Sequence, residues 1–328
     1  MKAVVYREYG PPDVLKIEDI EQPTPQDKQV LVRVHATSIN AADYRMMRAN
    51  PFFIRLMVGG LLKPKNPRLG SDVAGRVEAI GENVKQFHPG DEVFGCGDGA
   101  FAEYVLAKEA DLAVKPSNRS FEEAAAVPVA ALTALQGLRY AGEIRPGQKV
   151  LIQGASGGVG TFAVQIAKSF GADVTAVCSP RNLDMARSIG ADHVIDYSQE
   201  DFTQNGQQYD LILAANGYHS LSAYKRALSP RGIYVCAGGT MLQIFEAILL
   251  GSLRSRNGGK KMGNMGVANV NQEDLITLGE LLEAGKIVPF IDRSFPLSEI
   301  AEAFRYVEEK HAQGKVVITV VPAVTGGE

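Results

Sequence analysis

The chain has 328 residues, with 34 basic against 37 acidic side chains and a net charge of −3. That length supports about two domains, and so balanced a charge offers no global field to recruit nucleic acid or an anionic membrane. The three scattered cysteines show no paired spacing and no apolar run reaches the about 18 residues that cross a bilayer, so a cytoplasmic protein with no targeting peptide is expected.

Residues 1–6 read as a first strand. Val30, Val32 and Val34 alternate with Leu31, Arg33 and His35, which suits a half-buried strand with one face to a core. Further strands are expected at 73–80, 91–94 and 101–106. Short strands punctuated by glycine and proline point to a small all-β barrel or partly open sheet. The insertion at 44–68 interleaves Phe52, Phe53, Ile54, Leu56, Met57, Leu61 and Leu62 with Arg45, Arg48, Arg55, Lys63 and Lys65. This basic amphipathic pattern is open to three readings: a helix packed on the barrel, a lid over an apolar substrate, or a membrane-surface contact.

Residues 122–137 turn alanine-rich and helical. From 150 onwards strands (173–178, 193–196, 210–214, 233–236) alternate with helices (182–189, 220–228), the βαβ rhythm of a doubly wound parallel sheet. An apolar helix is expected at 241–253, in a subunit interface or the interdomain cleft, before a basic loop at 254–261. Helices at 273–283 and 299–310 precede a last strand, 315–321, expected to return to the N-terminal domain. The domains are then 1–122, completed by 262–328, and 123–261.

The densest signal lies at 154–160, G-A-S-G-G-V-G, after an apolar strand and before a helical stretch at 161–170. Strand, glycine loop and helix in this order let a backbone approach a pyrophosphate, with the helix N-terminus facing its charge. The second strand of such a unit usually ends in an acid that takes the ribose hydroxyls of NAD. Here it ends Val177-Cys178-Ser179-Pro180-Arg181, with no carboxylate to repel a 2′-phosphate. Arg181 and Ser179 offer donors for one, each charge-assisted bond being worth about 1.5–3 kcal/mol. NADP is therefore expected, the plainer reading being that Arg181 only opens the next helix. His35, His88, His193, His219 and His311 lie far apart, as do the cysteines, so no metal is expected. Ser156 has no G-x-S-x-G elbow around it, which leaves phosphate contact as its task.

With these residues in view, the chain resembles the zinc-independent quinone oxidoreductase, zeta-crystallin-like branch of the medium-chain dehydrogenase/reductase superfamily. The likeness covers 32–43 (V-R-V-H-A-T-S-I-N-A-A-D), 69–75 (L-G-S-D-V-A-G), 89–95 (P-G-D-E-V-F-G), 99–105 (G-A-F-A-E-Y-V), the glycine loop, 230–239 and 314–317 (G-K-V-V). It implies an α/β fold: a Rossmann doubly wound parallel sheet plus a GroES-like β-rich catalytic domain, with the active site in the cleft between them. Zinc-dependent relatives carry a cysteine ligand where this chain has Asn40 and a histidine–glutamate pair where it has Ser71-Asp72. The resemblance assigns pyrophosphate contacts to Ser156, Gly157, Gly158 and Val159. It assigns the 2′-phosphate and ribose side to Ser179, Arg181 and Tyr197, and further cofactor contacts to Thr133, Asn216, Gly238, Gly239 and Thr240. Asn40 and Asp43 resemble the polar pair beside the nicotinamide, and Tyr44 is the nearest candidate proton donor; otherwise Asp43 and Tyr44 only cap and brace a helix.

The implied activity is NADPH-dependent reduction of a small apolar electrophile, a quinone or α,β-unsaturated carbonyl compound, by a homodimer. Hydride transfer to such acceptors gives a delocalised anion, so positioning and modest charge stabilisation suffice. Two alternatives stand beside it: an enoyl-thioester reductase whose phosphorylated carrier meets Arg48, Arg55, Lys63 and Lys65, and an NADPH-binding regulatory protein with little turnover. The insertion departs from the short glycine-tyrosine turn common among these reductases, which leaves the acceptor open.

Overall fold

Branched side chains at every second position favour an extended, half-buried backbone, and the run from Val30 falls in the ten-residue strand β3 (Gln29–Ser38) of the computed structural model. Residues 1–50, 55, 60–140, 144–239, 246, 259–309 and 312–320 are described. The chain forms two units, one of Met1–Val129, Val270–Glu283 and Ile291–Glu328, the other of Ala130–Asn269 and Ala284–Phe290. These divisions fall later than 122 and 261.

In the first unit, β1 (Lys2–Val5) and β2 (Lys16–Asp19) form an antiparallel pair. β3 pairs with β4 (Asp72–Ile80), which pairs with β5 (Glu92–Cys96); β6 (Tyr104–Lys108) pairs with the first half of β3 along its other edge, and β7 (Leu112–Val114) closes on β5. Val30, Val32, Val34, Val73, Val77 and Val93 form one core cluster. Leu31, expected on the open face, is only 2% exposed, so that face of the strand is covered there too.

The helix α1 (Ala41–Arg48) starts at Asn40, which has extended backbone, and ends at Ala49 in the left-handed region (φ 45°). Met47 is buried, and Tyr44 and Met46 pack on a cluster with Phe101, Phe304 and Ile318. The Arg48 guanidinium is bidentate to Glu308, at 2.6 Å for each bond. The start of α1 is held by Asp43: its carboxylate accepts the Asn40 N–H at 2.7 Å and the Gly70 N–H at 3.2 Å. Burial pushes the Asp43 carboxyl up to about 7. The Asn40 N–H opposes that rise, nearby Asp72 adds to it, and Lys315 and the Gly70 N–H oppose it.

The helix expected over 122–137 is two helices, α2 (Phe121–Ala125) and α3 (Pro128–Leu138). Pro128 lacks the N–H that would continue the first helix. Ser120 and Glu123 cap α2 reciprocally, at 3.1 and 2.9 Å.

The second unit carries β8 (Lys149–Gln153), α4 (Gly158–Ser169), β9 (Asp173–Cys178), α5 (Leu183–Ser188), β10 (His193–Asp196), β11 (Tyr209–Ala214), α6 (Leu221–Ala227), β12 (Leu228–Cys236) and β13 (Lys261–Asn264). The six strands are parallel in the order β10-β9-β8-β11-β12-β13. β13, on the β12 edge, is why this unit extends past 261. Gly160 is required by packing, since a Cβ there would lie 2.1 Å from the Gly154 carbonyl oxygen.

The chain then returns through α7 (Gln272–Glu283), β14 (Ile291–Pro296), α8 (Ile300–Glu308) and β15 (Lys315–Thr319). β15 pairs antiparallel with β3, Val317 opposite Ser38, so the last strand completes the first unit's seven-stranded sheet. Among the described residues no helix is long and apolar enough to cross a membrane. The expected helix 241–253 lies outside the described residues.

An unfolded carboxyl titrates near 3.9, so between about pH 4 and 7 the native chain holds a proton on Asp43 that the unfolded chain lacks. This contribution is complete below that window, is lost as pH rises through 7, and is on the order of a few kcal/mol. Urea midpoints measured from pH 4 to 8 should therefore fall less steeply in Asp43→Asn than in the wild type. Equal slopes would show that Asp43 carries no such proton.

Candidate functional site

Parallel strands all finish on one edge of their sheet, and there the second unit gathers most of the residues expected to hold a dinucleotide. β8 runs into Gly154 and Ser156, β9 into Ser179 and Arg181, β10 into Tyr197, β11 into Asn216, and β12 into Gly238 and Gly239. The strand order reverses between β8 and β11, a topological switch point. Across it Gly154, with φ +80°, faces Asn216: a Cβ on Gly154 would come within 2.7 Å of the Asn216 Cβ. The N–H groups of Ala215 and Asn216 both donate to the Gln153 carbonyl, at 3.0 and 3.2 Å, and the Gly217 N–H donates to the Gly238 carbonyl at 3.1 Å.

The glycine loop has the form a phosphate needs. Gly157 is the N-cap of α4 and makes no side-chain capping bond, so the helix itself offers no partner to the first-turn N–H groups of Gly158, Val159 and Gly160. Ser156, Gly157, Gly158 and Val159 are half-buried. A Cβ on Gly157 would meet nothing nearer than the Gly154 carbonyl oxygen at 3.8 Å, and its φ of −85° is open to any residue. Packing and backbone conformation thus leave Gly157 free to carry a side chain.

At the end of β9, Ser179 Oγ accepts the Asn182 Nδ2–H at 3.0 Å, which leaves its own hydroxyl hydrogen to donate, and Arg181 is exposed on the 3-10 turn Pro180–Asn182. Tyr197 is 51% exposed and meets Tyr218, 48% exposed, edge to face at 6.2 Å. Thr133 is half-buried on α3. Thr240 lies outside the described residues.

Sequence reading missed the bond that ties this edge together. The buried Tyr224 hydroxyl, on α6, donates to Gln153 Oε1 at 2.5 Å and accepts the N–H groups of Tyr218 and His219 at 3.3 and 3.4 Å. The one signal for it was a glutamine ending an otherwise apolar strand.

In the first unit, Asn40 and Asp43 meet as described, but Asp43 is 1% exposed and both its oxygens are occupied. Tyr44 is half-buried on the apolar cluster beside α1, with the Arg45 guanidinium 6.0 Å from its ring centroid. The partners of Asn40 were not foreseen. Its Nδ2 donates to Asp72 Oδ2 at 2.8 Å, and its Oδ1 accepts from Lys315 Nζ at 2.6 Å. Asp72 Oδ2 also accepts from Ser38 Oγ at 2.5 Å and Lys315 Nζ at 3.2 Å, and its Oδ1 accepts the Val129 N–H at 2.8 Å. Burial first, then the charges of Asp72 and Asp111, push the neighbouring Cys96 thiol well above its ordinary range, which favours its protonated form. Among the described residues, no three His, Cys, Asp or Glu side chains group so as to hold a metal ion.

Two family models match the chain: the alcohol dehydrogenase GroES-like domain over 26–117 and the zinc-binding dehydrogenase over 189–318. A 2-methylene-furan-3-one reductase of Solanum lycopersicum is 35% identical over 98% of this chain and 80% of its own length. An NADPH-dependent alkenal/one oxidoreductase, chloroplastic, of Arabidopsis thaliana is 33% identical over the same shares. The solved quinone oxidoreductase from Coxiella burnetii superposes with a TM-score of 0.86 at 32% identity, covering 98% of this chain and 99% of that one. With a GroES-like domain, a Rossmann sheet and likeness along nearly its whole length, the chain belongs to the medium-chain dehydrogenase/reductase superfamily, in its branch of quinone and alkenal/one oxidoreductases.

Proposed function

We propose that this protein reduces quinones or α,β-unsaturated carbonyl compounds with NADPH. The reading is supported most by the glycine loop, where the bare backbone of Gly157, held by neither packing nor conformation, admits a closely approaching pyrophosphate. In it, the N–H groups of Gly158 and Val159 and the Ser156 hydroxyl bind the pyrophosphate, and Ser179, Arg181 and Tyr197 take the 2′-phosphate and ribose side. Thr133, Asn216, Gly238, Gly239 and Thr240 line the rest. Bound NADPH supplies a hydride. Asn40, half-buried beside Asp72 and Lys315, orients the acceptor's oxygen. Asp43 holds Asn40 and the start of α1 and touches no substrate, because its carboxylate is enclosed. Tyr44 is left a packing role, and the proton that completes reduction comes from water.

The purified protein should oxidise NADPH faster than NADH against a panel of a benzoquinone, a naphthoquinone, a medium-chain alkenal and an enoyl thioester. No turnover with any quinone or alkenal, while NADPH still binds, would replace this reading with a binding protein. Arg181→Ala should weaken NADPH at least tenfold and leave NADH within about twofold, from the loss of one charge-assisted contact; an unchanged ratio of the two affinities would place the 2′-phosphate elsewhere. Gly157→Ala and Gly160→Ala should separate binding from folding. The first should weaken NADPH by calorimetry and cost at most about 1 kcal/mol of stability. The second, which forces a Cβ against a carbonyl oxygen, should cost about 1–3 kcal/mol. Full NADPH affinity in Gly157→Ala would remove the close approach on which the reading rests.

A further inference from the structure

Lys315 and Asp72 form an ion pair with 3% and 0% of their surfaces exposed. Burying such a pair gives little stability compared with apolar residues of similar volume, so its placement calls for another reason. Its geometry supplies one. Lys315 Nζ has three acceptors, the Ile39 carbonyl at 3.2 Å, Asp72 Oδ2 at 3.2 Å and Asn40 Oδ1 at 2.6 Å. The shortest of these goes to the neutral amide. The other end of that amide, Nδ2, donates to Asp72 at 2.8 Å. The two ions thus grip opposite ends of one side chain, and only one orientation of the amide satisfies both.

Of the side chains in this network, Ser38, Asp72 and Lys315 are buried and Asn40 alone reaches surface. The Asn40 Nδ2 carries two hydrogens, of which Asp72 takes one. An ammonium on Oδ1 draws electron density through the amide and strengthens the remaining N–H as a donor. A buried charge therefore acts outward through a neutral group.

Resting on the function proposed above, we infer that Lys315 and Asp72 are positioning residues for Asn40, whose second Nδ2 hydrogen receives the acceptor's carbonyl oxygen as it becomes negative. With an enone, hydride from NADPH forms a new C–H bond at the β-carbon. The alkene π pair shifts towards the carbonyl, the oxygen takes the charge as an enolate, and NADP⁺ is left. Water then protonates the α-carbon. With a quinone, the hydride forms a new O–H bond at one carbonyl oxygen, the π pairs shift to make the ring aromatic, and the second oxygen takes the charge as a hydroquinone monoanion, which water protonates with release of hydroxide. In both cases the charge develops on oxygen, and a donor fixed before reaction stabilises it without reorganisation.

The test is a double-mutant cycle between Asn40→Ala and the neutral pair Asp72→Asn with Lys315→Met, which leaves no unpaired buried charge. In the wild-type background the neutral pair should lower kcat about tenfold or more, with NADPH affinity by calorimetry within about twofold, the size expected for weakening one oxyanion donor. In the Asn40→Ala background it should change kcat by less than about twofold, since the effect runs through Asn40. Lys315→Arg, which keeps the charge, should recover most of the rate. A tenfold loss in both backgrounds, or a loss confined to KM, would overturn the inference. Binding of 4-nitrophenolate, a stable phenolate, to the NADP⁺-loaded protein gives the same cycle without turnover. The neutral pair should weaken it about tenfold only where Asn40 is present, and equal weakening in both backgrounds would overturn the inference. If the wild type reduces neither quinones nor enones, the proposed function fails while the phenolate cycle still decides the role of Lys315.

Discussion

A carboxylate with no exposed surface must be met by donors wherever they can be found, and Asp72 sets that demand on the first unit. Its oxygens take hydrogen bonds from Ser38 at the end of β3, from Asn40 before α1, from the backbone of Val129 at the start of α3, and from Lys315 on β15. Its main-chain carbonyl accepts from the Thr37 hydroxyl at 2.6 Å. The donors are far apart in sequence, and the cation that pairs with it among the described residues, Lys315, arrives with the last strand. The first unit is accordingly discontinuous, and its polar centre is incomplete until β15 has paired with β3. The same demand explains Asp43: one ammonium serves two buried carboxylates, and the second gives up its charge near neutrality.

The second unit meets a different constraint with different material. The edge where its strands finish is built mainly from backbone, with glycines where a strand must turn and where a helix must start against a carbonyl. Side chains enter as braces: Tyr224 holds the loop after β11 to the strand before the glycine loop, and Asn216 packs on Gly154. An uncapped helix end costs stability that a side chain would have provided. In the function proposed above, that deficit and the anion site are the same set of N–H groups.

Much of this was legible because it is local. A strand at 173–178 appears as β9 with those bounds, the glycine loop sits between a strand and a helix, and the last strand returns to the first sheet. What escaped the sequence is long-range or depends on one backbone atom. A lysine opening an apolar strand and an aspartate beside glycine and serine look like ordinary strand ends, and only the fold brings Lys315 to Asp72. Pro128 split a helix whose alanine content read as continuous. Leu31 read as half-exposed because alternation reports the faces of a strand and not how many neighbours cover them. Asp43 and Tyr44, adjacent to Asn40 in the motif, shared its resemblance; helical geometry turns one into a cap and the other onto the apolar cluster.

The two kinds of construction also divide specificity. Backbone donors read a phosphate whatever side chains surround them, so cofactor binding tolerates wide change in sequence provided the glycines remain. In the function proposed above an acceptor oxygen is read instead by a side chain, Asn40, whose orientation depends on residues 32 positions and 275 positions away. In that reading a substitution at any of the three changes the electrostatics felt by the acceptor. Under the function proposed above, change at these three positions alters which acceptor is reduced and not which cofactor is held.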